Sequence, residues 1–179
     1  PKARPTAPPI SDKPSIVVLP FENMSGDEEQ GYFADGIAER KARFPEHADW
    51  LDAWWSHWPD MLGGPIHGTV DSLRELRDAG TPLYAITDWS AETFPIARER
   101  FDFLNWFEGI VVSGQKGVTK PDPAIYRHLT ADFGVDPATA VFIDDKPINV
   151  EAANTAGVQG LVFTDAAKLR ADLGQMRLL

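Results

Sequence analysis

Residues 141–157, VFIDDKPINVEAANTAG, decide the fold class of this 179-residue chain. The stretch starts as a short apolar strand, passes two adjacent acids, Asp144 and Asp145, and continues as a helix that Gly157 ends. A short, wholly apolar strand that runs into a helix is typical of a parallel sheet with both faces covered. Because ligands bind beyond the carboxyl ends of such strands, the two acids are candidate site residues.

Helix and strand alternate in the same way from residue 66 to residue 179. Apolar runs predict strands at residues 82–87, 109–113, 140–143 and 160–163. Helical spacing and stop residues predict helices at residues 70–79, 90–100, 122–133, 148–156 and 166–173. Thr69 and Ser90 are the predicted N-caps of the first two helices. The pattern predicts an α/β fold with a Rossmann-like, doubly wound parallel sheet, whose core is residues 66–179.

The part before residue 66 divides into three segments. Residues 1–14 are polar and proline-rich, which predicts a disordered linker. Residues 15–44 open with a strand candidate, SIVVL, and continue through turn residues into a weak helix. Residues 45–65 carry apolar side chains at helical spacing, which predicts a helix that Pro59 breaks.

The composition excludes several classes of protein. Without cysteine the chain has no disulfide framework, no cysteine-ligated zinc and no cysteine nucleophile. A formal net charge of -10 argues against a surface that follows nucleic-acid phosphates. No apolar run approaches the roughly 20 residues that a membrane-spanning helix needs. Because no signal-peptide core is seen either, we expect a cytoplasmic protein.

Polar residues follow three of the predicted strands. Thr87 ends the first strand, Ser113 ends the second with Lys120 shortly after it, and Asp144 and Asp145 follow the third. Adjacent carboxylates bind hard cations such as Mg²⁺ through oxygen, whereas a lysine and a hydroxyl near a helix N-terminus bind phosphate oxygens. Each element alone is typical of a turn, a cap or a solvated loop. In this order they predict one site for a phosphate group and a divalent cation.

These motifs resemble those of the haloacid-dehalogenase-like (HAD) hydrolase superfamily over roughly residues 45–175. Residues 82–95, PLYAITDWSAETFP, resemble the family's second motif, and residues 120–126, KPDPAIY, resemble the third. Residues 141–157 resemble the fourth motif, and residues 45–65 resemble part of the family's small helical cap. The resemblance implies a hydrolase of small-molecule phosphoesters that depends on Mg²⁺ or another divalent cation.

The resemblance also implies roles for individual residues. Thr87 would hydrogen-bond the transferred phosphoryl group, and Lys120 would steady the phosphate and the nucleophile. Asp144 and Asp145 would hold the metal ion, and Asp145 matches the more constant family position. The predicted catalytic residues are therefore Thr87, Lys120 and Asp145.

Two residues depart from the family's pattern. Asp88 stands where relatives often have asparagine, and it adds a negative charge where the phosphate should lie. Lys146 stands where serine is common, and it would offset part of this charge. Together with Ser113 at its strand end, these are the predicted substrate-binding residues.

The family's first motif, a strand followed by Asp-x-Asp, occurs nowhere in the sequence. In relatives its first acid is the covalent nucleophile and its second is the general acid or base. Residues 14–39 instead resemble a TolB-like segment found beside bacterial adenylate cyclases, so the chain resembles a chimera. The SIVVL strand would then fill the vacant position beside residues 140–143, with Glu22 near the missing acids as a metal ligand or a base. The alternative is that Glu22 is a plain surface residue.

Three functions are compatible with the sequence. The favoured one is a metal-dependent hydrolase of activated phosphate mono-, di- or triesters, in which a metal-bound water replaces the covalent aspartate. The second is a catalytically silent HAD-like domain that acts only in binding or assembly. The third is a regulatory module allied to a cyclase, which rests on residues 14–39 alone, a segment too short to fold by itself.

The aromatic residues predict a homodimer. A partial cap would leave several large side chains exposed, and burying each is worth about 1.5–3 kcal/mol. They are Trp50, Trp54, Trp55, Trp58, Phe101, Phe103, Trp106 and Phe107. A sheet edge left bare by the missing first motif would be a second reason to pair. The competing expectation is that residues 15–44 cover these side chains within one chain.

Overall fold

Five parallel strands form one sheet in the computed structural model, which describes residues 15–18 and 37–179. In chain order they are β1 (Ser15–Val18), β2 (Leu83–Thr87), β3 (Gly109–Val112), β4 (Ala140–Asp144) and β5 (Gln159–Val162). Their order across the sheet is β3-β2-β1-β4-β5. The chain therefore builds outward on one side of β1 and then crosses to the other side, which is a doubly wound arrangement. The predicted α/β fold class is confirmed.

Helices cover both faces of this sheet. The described helices are α1 (Ile37–Arg43), α2 (Ala48–Met61), α3 (His67–Asp78), α4 (Phe94–Arg100), α5 (Ser113–Lys116), α6 (Pro123–Phe133), α7 (Pro147–Thr155) and α8 (Ala166–Gln175). Helices α3, α4 and α8 supply one apolar cluster, and α6 and α7 supply the other. Within β4, Ile143 belongs to the first cluster and Phe142 to the second, because neighbouring strand residues point to opposite faces. Among the described helices, none is both long and apolar enough to cross a membrane.

Strand β1 lies at the centre of the sheet. Ile16 is aligned with Leu83 of β2 on one side and with Val141 of β4 on the other, and its side chain is fully buried. The segment SIVV therefore occupies the strand position that the sequence left vacant beside β4. The predicted linker at residues 1–14 and Glu22 lie outside the described residues. A foreign origin of residues 15–44 stays a prediction.

Three local predictions are wrong, each for a physical reason. Pro59 lies inside α2, where it removes a backbone donor only in the last turn, so the helix continues to Met61. Helix α3 begins at His67 with Ile66 as its N-cap, so Thr69 lies within the first turn. Ser90 caps a short turn by accepting a hydrogen bond from the backbone N–H of Glu92, and α4 starts only at Phe94.

The cap helix α2 rests on the core through a tryptophan. Trp58 is nearly buried, and its ring meets the ring of Trp89 edge-on at 6.1 Å between centroids. Arg100 of α4 donates a hydrogen bond to the carbonyl of Pro59, near the end of α2. By contrast, Trp50 at the start of α2 is 76% exposed and stacks on His47.

The structure removes most of the support for the predicted dimer. Trp58, Phe103 and Phe107 are buried within the chain rather than exposed. Trp106 is half-buried beneath the guanidinium group of Arg77, at 4.3 Å from its ring centroid. Because β1 fills the centre of the sheet, β2 and β4 are both paired with it, and the edges of the described sheet are β3 and β5. The missing first motif therefore does not expose an edge beside β4.

Candidate active site

The carboxyl ends of β2 and β4 are joined by Lys120, which lies shortly before α6. Its Nζ donates to Oδ2 of Asp144 at 2.8 Å and to the carbonyl of Ile86 at 3.4 Å. Both charged side chains are nearly buried, at 11% and 6% exposure. Among the bonds of the described residues, these use two of the three N–H groups of the ammonium. Within the described residues the third N–H has no acceptor, and Thr87 directly follows Ile86 in the chain.

The other oxygen of Asp144 is held from α7. Its Oδ1 accepts hydrogen bonds from the backbone N–H of Lys146 and from Nδ2 of Asn149, each at 2.9 Å. Tyr126 of α6 in turn donates to the carbonyl of Asn149 at 2.8 Å. Burial raises the pKa of the Tyr126 hydroxyl, and the negative charges of Asp144 and Asp88 raise it further. The hydroxyl is therefore a permanent donor that fixes α7 against α6.

Asn149 and Tyr126 were missed by the sequence reasoning, although both lie inside the recognised motifs. Asn149 is 4% exposed and stands one helical turn after Asp145, and Tyr126 ends the KPDPAIY motif. A polar amide on the inner face of a helix that follows two acids was the available signal. Its partner depends on tertiary geometry and could not be read from spacing.

Thr87 and Asp88 complete the end of β2. Thr87 is the last strand residue and is buried. Asp88 is exposed, and its Oδ1 accepts the backbone N–H of Lys120 at 2.9 Å. Partial removal from water raises the pKa of the Asp88 carboxyl, and the charge of Asp144 adds to this rise. Lys120 and Lys146 act in the opposite direction, so these charged groups act on one another across the site.

Ser113 is buried at the start of α5, and its hydroxyl is already engaged. Its Oγ accepts the backbone N–H of Trp89 at 2.9 Å and donates to the carbonyl of Trp89 at 3.3 Å. Ser113 therefore fastens the loop after β2 to the end of β3. Its predicted contact with substrate stays a prediction.

Asp145 is the exposed acid of the pair, between β4 and α7. A divalent ion would meet carboxylate oxygens here, because Asp145 is exposed and, among the described residues, Oδ2 of Asp144 accepts a hydrogen bond only from Lys120. Mg²⁺ is commonly held by one or two carboxylates together with waters and phosphate oxygens, so these residues fit the ion in kind. Within residues 15–18 and 37–179, no three His, Asp or Glu side chains form a metal-binding group. The predicted third ligand, Glu22, lies outside the described residues.

Known proteins resemble parts of the chain in sequence. The family model of haloacid dehalogenase-like hydrolases matches residues 32–157. Sesquiterpene phosphatase astK of Aspergillus oryzae is 36% identical over 104 residues, which are 58% of this chain and 53% of that protein. A protein of Rhizobium meliloti that carries the provisional name adenylate cyclase 3 is 75% identical over 32 residues, which are 18% of this chain and 6% of that protein. The chain spans about half or less of the length of the first curated relatives it matches.

A solved structure resembles the chain over most of its length. A HAD family enzyme of Bacteroides thetaiotaomicron, in complex with magnesium and inorganic phosphate, matches with a TM-score of 0.59 and 22% identity. The match covers 77% of this chain and 79% of that one, and at this identity it concerns the fold. The family model spans β2, β3, β4 and the residues that meet at Lys120. The chain therefore belongs to the haloacid dehalogenase-like hydrolases.

Proposed function

We propose that the chain is a metal-dependent hydrolase of small-molecule phosphate esters. One observation carries the proposal: the ammonium of Lys120 is held between Asp144 and the carbonyl of Ile86, next to the hydroxyl-bearing Thr87. A lysine fixed in this way is preorganised to receive a phosphoryl oxygen without further movement. The phosphatase name of the Aspergillus relative and the magnesium and phosphate in the Bacteroides structure support the same activity.

The chain's own residues take complementary roles in this proposal. Thr87 donates a hydrogen bond to a phosphoryl oxygen, and Lys120 places its remaining N–H and its positive charge on another. Asp145 and Asp144 hold Mg²⁺ or another divalent cation, with Glu22 as the proposed third ligand. When bound, the ion supplies positive charge to the phosphoryl oxygens and lowers the pKa of water. Lys146 and Ser113 complete the proposed substrate-binding residues.

Hydrolysis in this proposal proceeds without a covalent aspartyl intermediate, because the sequence contains no Asp-x-Asp. The oxygen of a water forms the new bond to phosphorus, and the bond from phosphorus to the leaving-group oxygen breaks. No protonated acid is assigned to that oxygen, so it leaves as an anion and the water protons go to solvent. The site therefore favours activated esters, with good leaving groups, among phosphate mono-, di- and triesters.

A metal-titrated assay tests this function. We expect 4-nitrophenyl esters of phosphate to be hydrolysed in proportion to added Mg²⁺, and Asp145→Ala to abolish the metal-dependent rate. Asp136→Ala is the matched control, since Asp136 caps the short helix Pro137–Thr139 by accepting the backbone N–H of Ala138, away from the site. Equal rates in the Asp145 variant and the wild type would reject the assigned site. A folded wild-type protein without turnover would favour the silent HAD-like domain.

Two further parts of the proposal concern the whole molecule. We propose a cytoplasmic protein that acts on neither nucleic acid nor membrane, in line with its net charge of -10. We also propose a homodimer that buries Trp50 and the neighbouring Phe44, which are 76% and 41% exposed. Exposed aromatic groups of this size are typical of contact surfaces.

A further inference from the structure

Acidic groups outnumber basic ones at the carboxyl end of β2 and β4. The charged side chains at these two strand ends include Asp88, Asp144, Asp145 and Lys146, and Lys120 joins them from the loop before α6. The ammonium of Lys120 is already paired with Asp144 at 2.8 Å, so much of its charge is balanced within the protein. The site that Thr87 borders is therefore less positive than its two lysines suggest.

Asp88 differs from Asp144 in the kind of partner it has. Among the described residues, its carboxylate accepts a hydrogen bond from the backbone N–H of Lys120 at 2.9 Å, which is a neutral donor, whereas Asp144 is paired with an ammonium group. This bond holds the carboxylate between the end of β2, where Thr87 lies, and Lys120. Thr87 and Lys120 are the two residues assigned to the phosphoryl group. The Asp88 carboxylate is thus fixed beside the position where the charge of a substrate would lie.

A carboxylate in this position acts differently on esters of different charge. A phosphate monoester carries close to two negative charges near neutral pH, since its second pKa is about 6. A diester carries one negative charge and a triester none. Because like charges repel in proportion to their product, the same carboxylate opposes the monoester most and the triester least.

We propose that Asp88 sets the charge preference of the site, by disfavouring dianionic phosphate monoesters relative to neutral triesters. The inference rests on the proposed function and narrows its substrate class. A bound cation would attract anionic esters in the wild type and in an Asp88 variant alike. A comparison of the two proteins therefore isolates the effect of this one carboxylate.

The test replaces Asp88 by asparagine. Asp88→Asn keeps the size of the side chain and an oxygen that accepts the N–H of Lys120, and it removes only the charge. Asp122→Asn is the matched control, because it removes a charge two residues from Lys120. There the Oδ1 atom caps α6 by accepting the N–H of Ala124 at 2.8 Å, a role that asparagine also fills.

The readout is kcat/KM for the 4-nitrophenyl monoester, diester and triester of phosphate. For Asp88→Asn we expect the ratio of monoester to triester activity to rise about tenfold, with the diester in between and the Asp122→Asn ratio unchanged. An equal change for all three esters would overturn the inference, because it would show a structural effect. The same rise in Asp122→Asn would overturn it too, because the effect would not belong to Asp88.

Calorimetry with inorganic phosphate separates this inference from the proposed function. We expect Asp88→Asn to bind phosphate several-fold more tightly than both the wild type and Asp122→Asn. Equal phosphate affinities would overturn the inference even if the wild type is active. If the wild type hydrolyses none of the esters, the proposed function fails, and the phosphate affinities still decide the role of Asp88.

Discussion

A single carboxylate, Asp144, organises the candidate site. One of its oxygens holds Lys120, and the other accepts hydrogen bonds from the loop and from Asn149. A buried charge is tolerated only when it is paired and hydrogen-bonded, and this one is both. The main role of the ion pair is therefore to position the lysine side chain, rather than to stabilise the fold.

The buried pair makes a thermodynamic prediction. Lys120→Met and Asp144→Asn should each lower the free energy of unfolding by about 3 kcal/mol, since each leaves a buried group without its partner. The double variant should be more stable than the sum of the two losses predicts, because neither uncompensated charge remains. Urea denaturation of the four proteins measures this coupling. Simple additivity of the two losses would contradict the account.

Asn149 makes a separate prediction, about activity. Asn149→Ala removes the donor to Asp144, and we expect kcat to fall at least about tenfold with a smaller change in KM. Asn154→Ala on the same helix is the control, since it removes an acceptor for the N–H of Gly160 outside the site. For each of the two variants, kcat and KM are measured beside the temperature of thermal unfolding. Equal losses of kcat in both would show that Asn149 acts only on stability.

At the scale of elements, strands were more predictable than caps. The runs that became β2, β3 and β4 are almost wholly apolar, and such runs have few alternatives in an α/β pattern. Ser90 was misassigned as a helix cap because a hydroxyl can bond several nearby N–H groups, and here it accepts that of Glu92 in a short turn. Thr69 was misassigned because α3 begins two residues earlier, at His67, so its hydroxyl lies inside the first turn without a partner among the described residues.

Of the site, the sequence motifs placed Lys120 and Asp144 after strands that follow one another in the chain, and the structure joins the two side chains. The contacts of Asn149 and the bond from Ser113 to Trp89 depend on how loops and helices pack, which no local pattern encodes.

Helices α3 and α8 are tied by Arg170 and Glu75, through two bonds of 2.7 and 2.9 Å. The hydrogen bond from Arg170 holds the pKa of the Glu75 carboxyl below its usual range in the folded protein. This pair should therefore stabilise the fold above the unfolded-state pKa, and its contribution should disappear as the pH falls through the lower folded-state pKa.

We expect Arg170→Met to be less stable than the wild type at neutral pH and the difference to shrink in acid. Urea midpoints at neutral pH and below about pH 4 measure this. A difference that stays constant across this range would contradict it.

At the scale of the whole molecule, the central strand β1 makes the sheet continuous. It joins β2 and β4, so the strand ends at Thr87 and Asp144 lie two strands apart in one sheet. The cap helix α2 touches the core through Trp58 and leaves Trp50 outside. Most of these aromatic side chains thus pack in or against the core. Trp50 does not, and it is the main candidate for a contact between molecules.

The proposed dimer makes a testable prediction about Trp50. A dimer that buries Trp50 should show twice the 19.8 kDa chain mass in light scattering coupled to gel filtration at micromolar concentration. Trp50→Ser should shift the protein toward the monomer without lowering its thermal stability, because the side chain is exposed within the chain. A wild-type mass near that of one chain would rule out the dimer.

The central claim is that the strand-end site hydrolyses phosphoesters with water as the direct nucleophile. Its most direct test is a single turnover in ¹⁸O water, quenched at successive times, with intact-protein mass spectrometry beside analysis of the released phosphate. The account predicts phosphate that carries ¹⁸O from the solvent and a protein mass that never gains a phosphoryl group. A phosphoryl adduct trapped on any residue, Glu22 included, or a folded protein that releases no phosphate, would contradict it.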